Sequence, residues 1–202
     1  THWEWRGMND TKLKLPLLPL TGDFQYNHAS AALQAIEILD KDILKNESFL
    51  SNGLKNVFLM GRYQKCNKYP EVIIDVAHNE DSAIKLFDNL NKEDKKKTYA
   101  VIGLLNDKDA YTLIKPLVPI IEKWFIGTVD SERGMNSSEI KEQVMSLVED
   151  QKINCFENMN NAFEAAYKEM YLNDRLIIYG SFYTVSEFMN YQDHNEKKLL
   201  NE

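Results

Sequence analysis

The chain has 202 residues, 44% of them hydrophobic, enough to bury one full core with an appended segment. Its formal net charge of -7 argues against a broad nucleic-acid footprint, although a few local cations suffice to hold a phosphate. No apolar run approaches the ~20 residues of a membrane span, and no signal-like start is visible.

Residues 1–26 read as irregular or short-stranded. Leu13, Leu15, Leu17, Leu18 and Leu20 are broken by Pro16 and Pro19, which leaves room for an edge segment at most. Thr21-Gly22-Asp23 is a turn. Over 27–44 the residues Ala31, Ala32, Leu33, Ala35, Ile36 and Leu39 recur at helical spacing, with Asn27 as the expected cap. Residues 46–56 are polar and read as a linker, which divides the chain into 1–50 and 51–202.

Beyond the linker, strands and helices alternate. Strands are expected over 57–60, 71–75, 99–104, 123–126, 153–156 and 176–179. Helices are expected over 79–90, 109–118, 136–148, 159–171 and 182–189, the third opened by a capping box at Asn136-Ser137-Ser138-Glu139. This alternation with short connections predicts an α/β fold with a doubly wound, mainly parallel sheet. The charge run from Asn91 to Lys97 reads as a solvated loop, and the tail from Gln192 as frayed. Cys66 and Cys155 lie far apart without CxxC spacing, which favours free thiols in a reducing compartment and argues against a cysteine-based zinc site.

The chain is organised around residues 70–82. Val72-Ile73-Ile74 is a β-branched run of the kind buried on both faces of a sheet. It ends at Asp75 and, two small residues later, reaches His78 and Asn79, a good helix cap followed by Glu80 and Asp81 in the first turn. Three more strand ends carry polar residues: Gly61-Arg62, the loop 103–109 with Asp107 and Lys108, and Gly180-Ser181. In a doubly wound sheet such ends converge on one edge, where ligands bind. Each residue also has a plainer use. Asp75 can brace a turn, His78 can satisfy local backbone, Arg62 can form a surface ion pair, 106–109 can be a polar turn and Ser181 can cap a helix. No GxGxxG, GxxxxGK(S/T), HExxH or GxSxG motif is present.

The order of these motifs is a recognisable one. Gly61-Arg62, Ile73-Ile74-Asp75-Val76-Ala77-His78-Asn79, Gly103-Leu104-Leu105-Asn106-Asp107-Lys108-Asp109 and Gly180-Ser181-Phe182-Tyr183 resemble the C-terminal half of folylpolyglutamate synthase/dihydrofolate synthase, a relative of the cell-wall Mur ligases. Leu20 to Ala32 resembles the end of that family's central ATPase domain. The resemblance therefore implies that 1–50 is a remnant of the ATPase domain and 51–202 a Rossmann-like glutamate-ligase domain.

It also implies an ATP-dependent ligase, in which a pteroate or folate carboxylate is phosphorylated and the amino group of L-glutamate displaces phosphate from the acyl phosphate. By motif, Arg62, Asp75 and the position of His28 fall on ATP. His78 falls on glutamate and the chemistry, Ser181 on glutamate, and Asn79, Asp107 and Lys108 remain loop candidates. The family's P-loop, magnesium ligands and pterin loops precede the matched region, so a fragment inactive by itself is expected, with magnesium held elsewhere. The implied partners are ATP, L-glutamate and dihydropteroate or folate, in a cytoplasmic monomer without nucleic acid or membrane. Two departures stand out: His28 replaces the family's usual Asn, with Asn27 adjacent, and Glu80 replaces a frequent Pro. The alternatives are a Mur-type cell-wall amino-acid ligase domain and a non-catalytic binding module of the same fold.

Overall fold

The computed structural model describes residues 2–8 and 11–200. The chain divides into two units, Thr1–Met60 and Gly61–Glu202, so the division falls after Met60 rather than near residue 50. The stretch read as a linker is folded. Asn46 caps α2 (Glu47–Lys55), its side chain accepting from Phe49 N at 3.0 Å. Leu50 is buried with Trp5, Leu15, Leu33 and Leu44, and Leu54 packs beside them. Two leucines four residues apart make one helical face, which the polar composition around them conceals.

The rest of the first unit is a hairpin and a longer helix. β1 (His2–Arg6) and β2 (Lys12–Pro16) pair antiparallel, with Trp3 opposite Leu15 and Trp5 opposite Leu13. Apolar residues alternate with His2, Glu4, Arg6, Lys12 and Lys14, a period-two pattern that buries one face. α1 (Phe24–Asp40) starts after Asp23, so Asn27 is an exposed residue inside the helix and not its cap. Of the expected apolar stripe only Leu33 is fully buried, and Leu39 is 85% exposed. The helix is instead tied down by a buried carboxylate: Glu37 accepts from Met8 N at 2.9 Å, Thr11 Oγ1 at 2.5 Å and Gln34 Nε2 at 2.8 Å. The strand expected over 57–60 is not formed, and Phe58, Leu59 and Met60 are exposed.

In the second unit six strands form one sheet in the order β3-β4-β8-β5-β6-β7. They are β3 (Gln64–Lys68), β4 (Glu71–Asp75), β5 (Thr98–Ile102), β6 (Ile121–Gly127), β7 (Ile153–Phe156) and β8 (Arg175–Tyr179). All neighbours are parallel except β3, an antiparallel edge strand. β3 has the sequence QKCNK, with no apolar alternation to announce it.

Alternate strand residues feed two cores. Ile73, Ala100, Ile102, Trp124 and Ile177 face α3 (Glu80–Asn91), α4 (Ala110–Ile114) and α5 (Ser137–Val144). Val72, Ile74, Val101, Phe125 and Ile178 pack with α6 (Met159–Glu169) and α7 (Phe182–Leu200). The sheet is therefore doubly wound, as expected. Pro116 ends the α-helical pattern of α4 in a 3-10 turn, Lys115–Leu117. Asn136 precedes α5 without a side-chain cap bond, and Ser137 N, the first of the helix, is held by Thr128 Oγ1 at 3.1 Å. α7 continues through the tail expected to fray, where 192–200 contain no glycine or proline to stop it.

The chain order explains where a site can form. β4, β5, β6 and β7 follow one another with α3, α4 and α5 on one face. α6 then crosses the other face and returns the chain to β8, between β4 and β5. The connection leaving β4 thus covers one face, while α7, leaving its neighbour β8, covers the other. The carboxyl ends of these strands part at that point and leave a crevice.

Candidate functional site

Asp75 closes β4 opposite Tyr179 at the end of β8. Its Oδ1 accepts from Ala77 N and its Oδ2 from Tyr63 N, both at 2.8 Å. Burial pushes its pKa up to about 6, against the pull of those two amides and of the Arg62 and His78 charges. The bracing use of Asp75 is thus real, and each oxygen keeps a second lone pair for a further donor. Two residues on, His78 Nδ1 lies 2.9 Å from Val76 O. A carbonyl only accepts, so Nδ1 carries a proton, which directs Nε2 away from the turn and toward a ligand. Asn79 caps α3 in a reciprocal box, its side chain accepting from Ser82 N at 2.9 Å while Ser82 Oγ accepts from Asn79 N at 3.1 Å. The strand-to-helix turn is rigid because each of these polar groups has a local partner.

Arg62 sits on a second turn bound to the first. Val76 N donates to Gly61 O at 2.8 Å, and Gly61 N donates to Gln64 Oε1 at 2.9 Å. Gly61 has φ +66 and lies where a Cβ would stand 2.8 Å from Val76 Cγ1, so the turn needs glycine there. The Arg62 guanidinium carbon is 5.4 Å from the centroid of the Phe182 ring. Among the described residues Arg62 has no carboxylate ion pair, which leaves its N–H donors for an oxyanion.

β8 is followed by Gly180, whose φ of +125 and missing Cβ let it approach Gly103 O, 2.4 Å from where that carbon would be. Ser181 then opens α7 and is 3% exposed. Its Oγ accepts from Thr184 N at 3.0 Å and lies 2.8 Å from Thr184 Oγ1. Thr184 Oγ1 donates to Gly103 O at 2.7 Å, so its one proton is committed and Ser181 must donate to it. The Ser181 hydroxyl is used in capping. What the segment offers a ligand is the N–H groups of Phe182 and Tyr183, which have no acceptor among the described residues, with the helix dipole behind them.

Arg62, Asp75, His78 and the start of α7 are therefore gathered on one edge. Asp107 and Lys108 form a separate cluster on the loop after β5. Lys108 Nζ lies 2.8 Å from one Asp107 oxygen and Arg133 Nη2 lies 2.9 Å from the other. Among the described residues no hydrogen bond or ion pair joins that cluster to Asp75, His78 or Arg62. The lysine hydrogen bond, with Arg133 beyond it, holds Asp107 below its ordinary pKa. His28 belongs to the first unit, is exposed on α1, and has Nδ1 3.3 Å from Gln25 Oε1. Among the described residues no group of three or more His, Cys, Asp or Glu could hold a metal ion.

Sequence reasoning missed Tyr63, Gln64, Phe182 and Thr184. Gln64 was visible two residues beyond Arg62, but a single polar residue on an exposed strand carries no signal of its own. Thr184, at the third position of a helix capped by serine, could have been read as part of the cap.

Comparison with known proteins gives the family and the fold. The family model for the Mur ligase, glutamate ligase domain, matches residues 61–182. The dihydrofolate synthase/folylpolyglutamate synthase of Buchnera aphidicola subsp. Baizongia pistaciae is 30% identical over 92% of this chain and 42% of its own length. A structure of Escherichia coli FolC in complex with ADP, without folate substrate, superposes with a TM-score of 0.76 at 26% identity, over 92% of this chain and 43% of that one. A bifunctional folylpolyglutamate synthase/dihydrofolate synthase with Mn, AMPPNP and L-glutamate bound gives 0.74 at 26%, over 90% and 42%. The chain spans less than half the length of these relatives.

Proposed function

The chain belongs to the Mur ligase family through its glutamate ligase domain, and from that premise we propose that it is the C-terminal part of an ATP-dependent ligase that adds L-glutamate to dihydropteroate or folate. The observation that carries the reading is the convergence of Arg62, Asp75, His78 and the α7 N-terminus on the crevice between β4 and β8. That the relatives named above are folate ligases supports folate over a cell-wall precursor. The enzyme is proposed to work as a cytoplasmic monomer.

The residues divide the work by charge. Arg62 supplies a fixed cation for nucleotide phosphate oxygens, and Asp75 accepts a hydroxyl or amino hydrogen of the nucleotide on its remaining lone pairs. His28 is proposed, by the family resemblance alone, to contact the nucleotide in the full-length ligase. At the glutamate side, the first-turn amides of α7, oriented by Ser181, hold a carboxylate. His78 Nε2 accepts a proton from the incoming amine. As the nitrogen attacks the acyl phosphate, the C–N bond forms, the C–O bond breaks and phosphate leaves with the electron pair. Magnesium expected with ATP finds no cluster of ligands among the described residues. Asn79 braces the His78 turn, while Asp107 and Lys108, paired with each other and with Arg133, are given no role in this reading.

The test is steady-state kinetics in the full-length ligase. His78→Ala should raise the glutamate KM or lower kcat/KM for glutamate by roughly 10- to 150-fold, the worth of one hydrogen bond to a charged group, with the ATP KM little changed. Arg62→Ala should show the reverse weighting. Unchanged glutamate kinetics in His78→Ala would end this reading. The 202-residue chain alone, without a P-loop motif, should release no phosphate from ATP.

A further inference from the structure

Tyr63 has φ +46 and is the non-glycine residue with a positive φ among those described. A bulky aromatic residue is seldom held there, because its Cβ crowds the following carbonyl in the left-handed region. Glycine would take this backbone freely, yet the position carries one of the larger side chains in the unit, 4% exposed and clustered with Ile73 and Leu86. Its phenol oxygen adds a second penalty. It is buried with no partner at full hydrogen-bond geometry, although Glu93 lies near enough to accept from it weakly and the Arg175 and Glu71 charges are near enough to be felt. Burial, with Glu93 next, pushes the phenol above its ordinary pKa, so it stays a neutral O–H. A residue both strained and poorly satisfied persists where the surrounding structure over-determines it, and such residues gather at functional sites.

What surrounds Tyr63 shows what it secures. Its N–H is held by Asp75 Oδ2 at 2.8 Å, and its ring is sunk in the core. On the other side of Arg62, Gly61 is also left-handed and is bound through both its N–H and its carbonyl. Arg62 thus stands between two backbone units clamped in the same unusual conformation, and its guanidinium is aimed along Phe182 at the start of α7. An arginine on an ordinary turn would lose that direction to rotamer freedom.

We propose that Tyr63 is a positioning residue: its buried ring and left-handed backbone fix Arg62 at the crevice between β4 and β8, at the expense of folding stability. The part of this that concerns nucleotide binding rests on the function proposed above; the part that concerns Arg62 does not.

Two variants and two readouts separate these. Tyr63→Gly permits the backbone and removes the anchor, while Tyr63→Phe keeps the anchor and removes the poorly paired hydroxyl. In the 202-residue chain the Arg62 side-chain Nε–H resonance, shifted by the Phe182 ring, is followed by NMR. It should keep its position in Tyr63→Phe and move to the value of a free arginine in Tyr63→Gly. In the full-length ligase Tyr63→Gly should raise the ATP KM roughly tenfold or more, as Arg62→Ala does, with the glutamate KM unchanged; Tyr63→Phe should restore it to within about twofold. Tyr63→Leu, which keeps an apolar anchor, serves if the glycine variant does not fold, and should lie between the two. An unmoved Arg62 resonance in a folded Tyr63→Gly or Tyr63→Leu would overturn the proposal. A moved resonance with ATP kinetics untouched in both Tyr63→Gly and Arg62→Ala would keep the positioning and refute the nucleotide assignment. A purely structural Tyr63 predicts lower melting temperature and a proportional loss for both substrates.

Discussion

Replacing Asp75 by Asn tests the electrostatics of the site without any ligand. The carboxyl is held at about 6 against an ordinary 3.8, chiefly by burial. A group whose folded pKa is raised contributes stability that is fully present below its unfolded pKa and is lost as pH rises through the folded value. At about 1.36 kcal/mol per tenfold, the displacement corresponds to about 3 kcal/mol in all. About 2 kcal/mol of this should disappear between about pH 4.5 and 7.5, since part of the change already lies below that window. In Asp75→Asn the charge is gone, and one of the two amides of Tyr63 and Ala77 faces an NH2 group in place of an oxygen. That mismatch should cost about 1–3 kcal/mol, independent of pH. Urea unfolding of the 202-residue chain across that pH window should therefore show the variant well below wild type under acid conditions and closer to it, or level, at pH 7.5. Taking the difference between the two proteins cancels groups such as Glu71, which burial raises but whose pairing with Arg175 and the lysines lowers on balance. A constant difference across the window would mean that Asp75 ionises without penalty. A difference that widens with pH would mean that the paired carboxylate anchors the turn, and either result refutes the argument from burial.

Two further outcomes follow from packing. Arg175→Met should destabilise the chain by about 3 kcal/mol in urea unfolding, the lower end for a broken buried pair, because Lys65 and Lys96 still face Glu71 at 3.4 and 3.3 Å. The double variant Arg175→Met with Glu71→Met should recover part of that loss. Limited chymotrypsin digestion should cut at Phe58 and Leu59, which are 65% and 45% exposed on irregular backbone, and spare Phe49 inside α2. Cleavage at Phe49 first would restore the linker expected near residue 50.

Local pattern determined much of this protein. Val72-Ile73-Ile74 announces a strand buried on both faces, and each of the three is 0% exposed. Asn79 announces the start of α3, and the alternation beyond it announces the parallel strands, because periodicity and capping are written within a few residues of where they act. The gathering of Arg62, Asp75 and His78 was legible only as a consequence of the fold class, since strand ends meet in any doubly wound sheet. Tertiary structure decided the rest. The return of β8 between β4 and β5 depends on which edge is free when the chain arrives, and no local residue encodes it. β3 is a strand because β4 offers it a ladder, not because QKCNK prefers one. Ser181 became a cap with its hydroxyl spent because Thr184 had already given its proton to Gly103. Tyr63 became left-handed because Asp75 holds its amide and the core holds its ring. Composition and spacing state what each residue can donate, accept or bury; which of those capacities is left for a ligand is settled only when the neighbours have taken theirs.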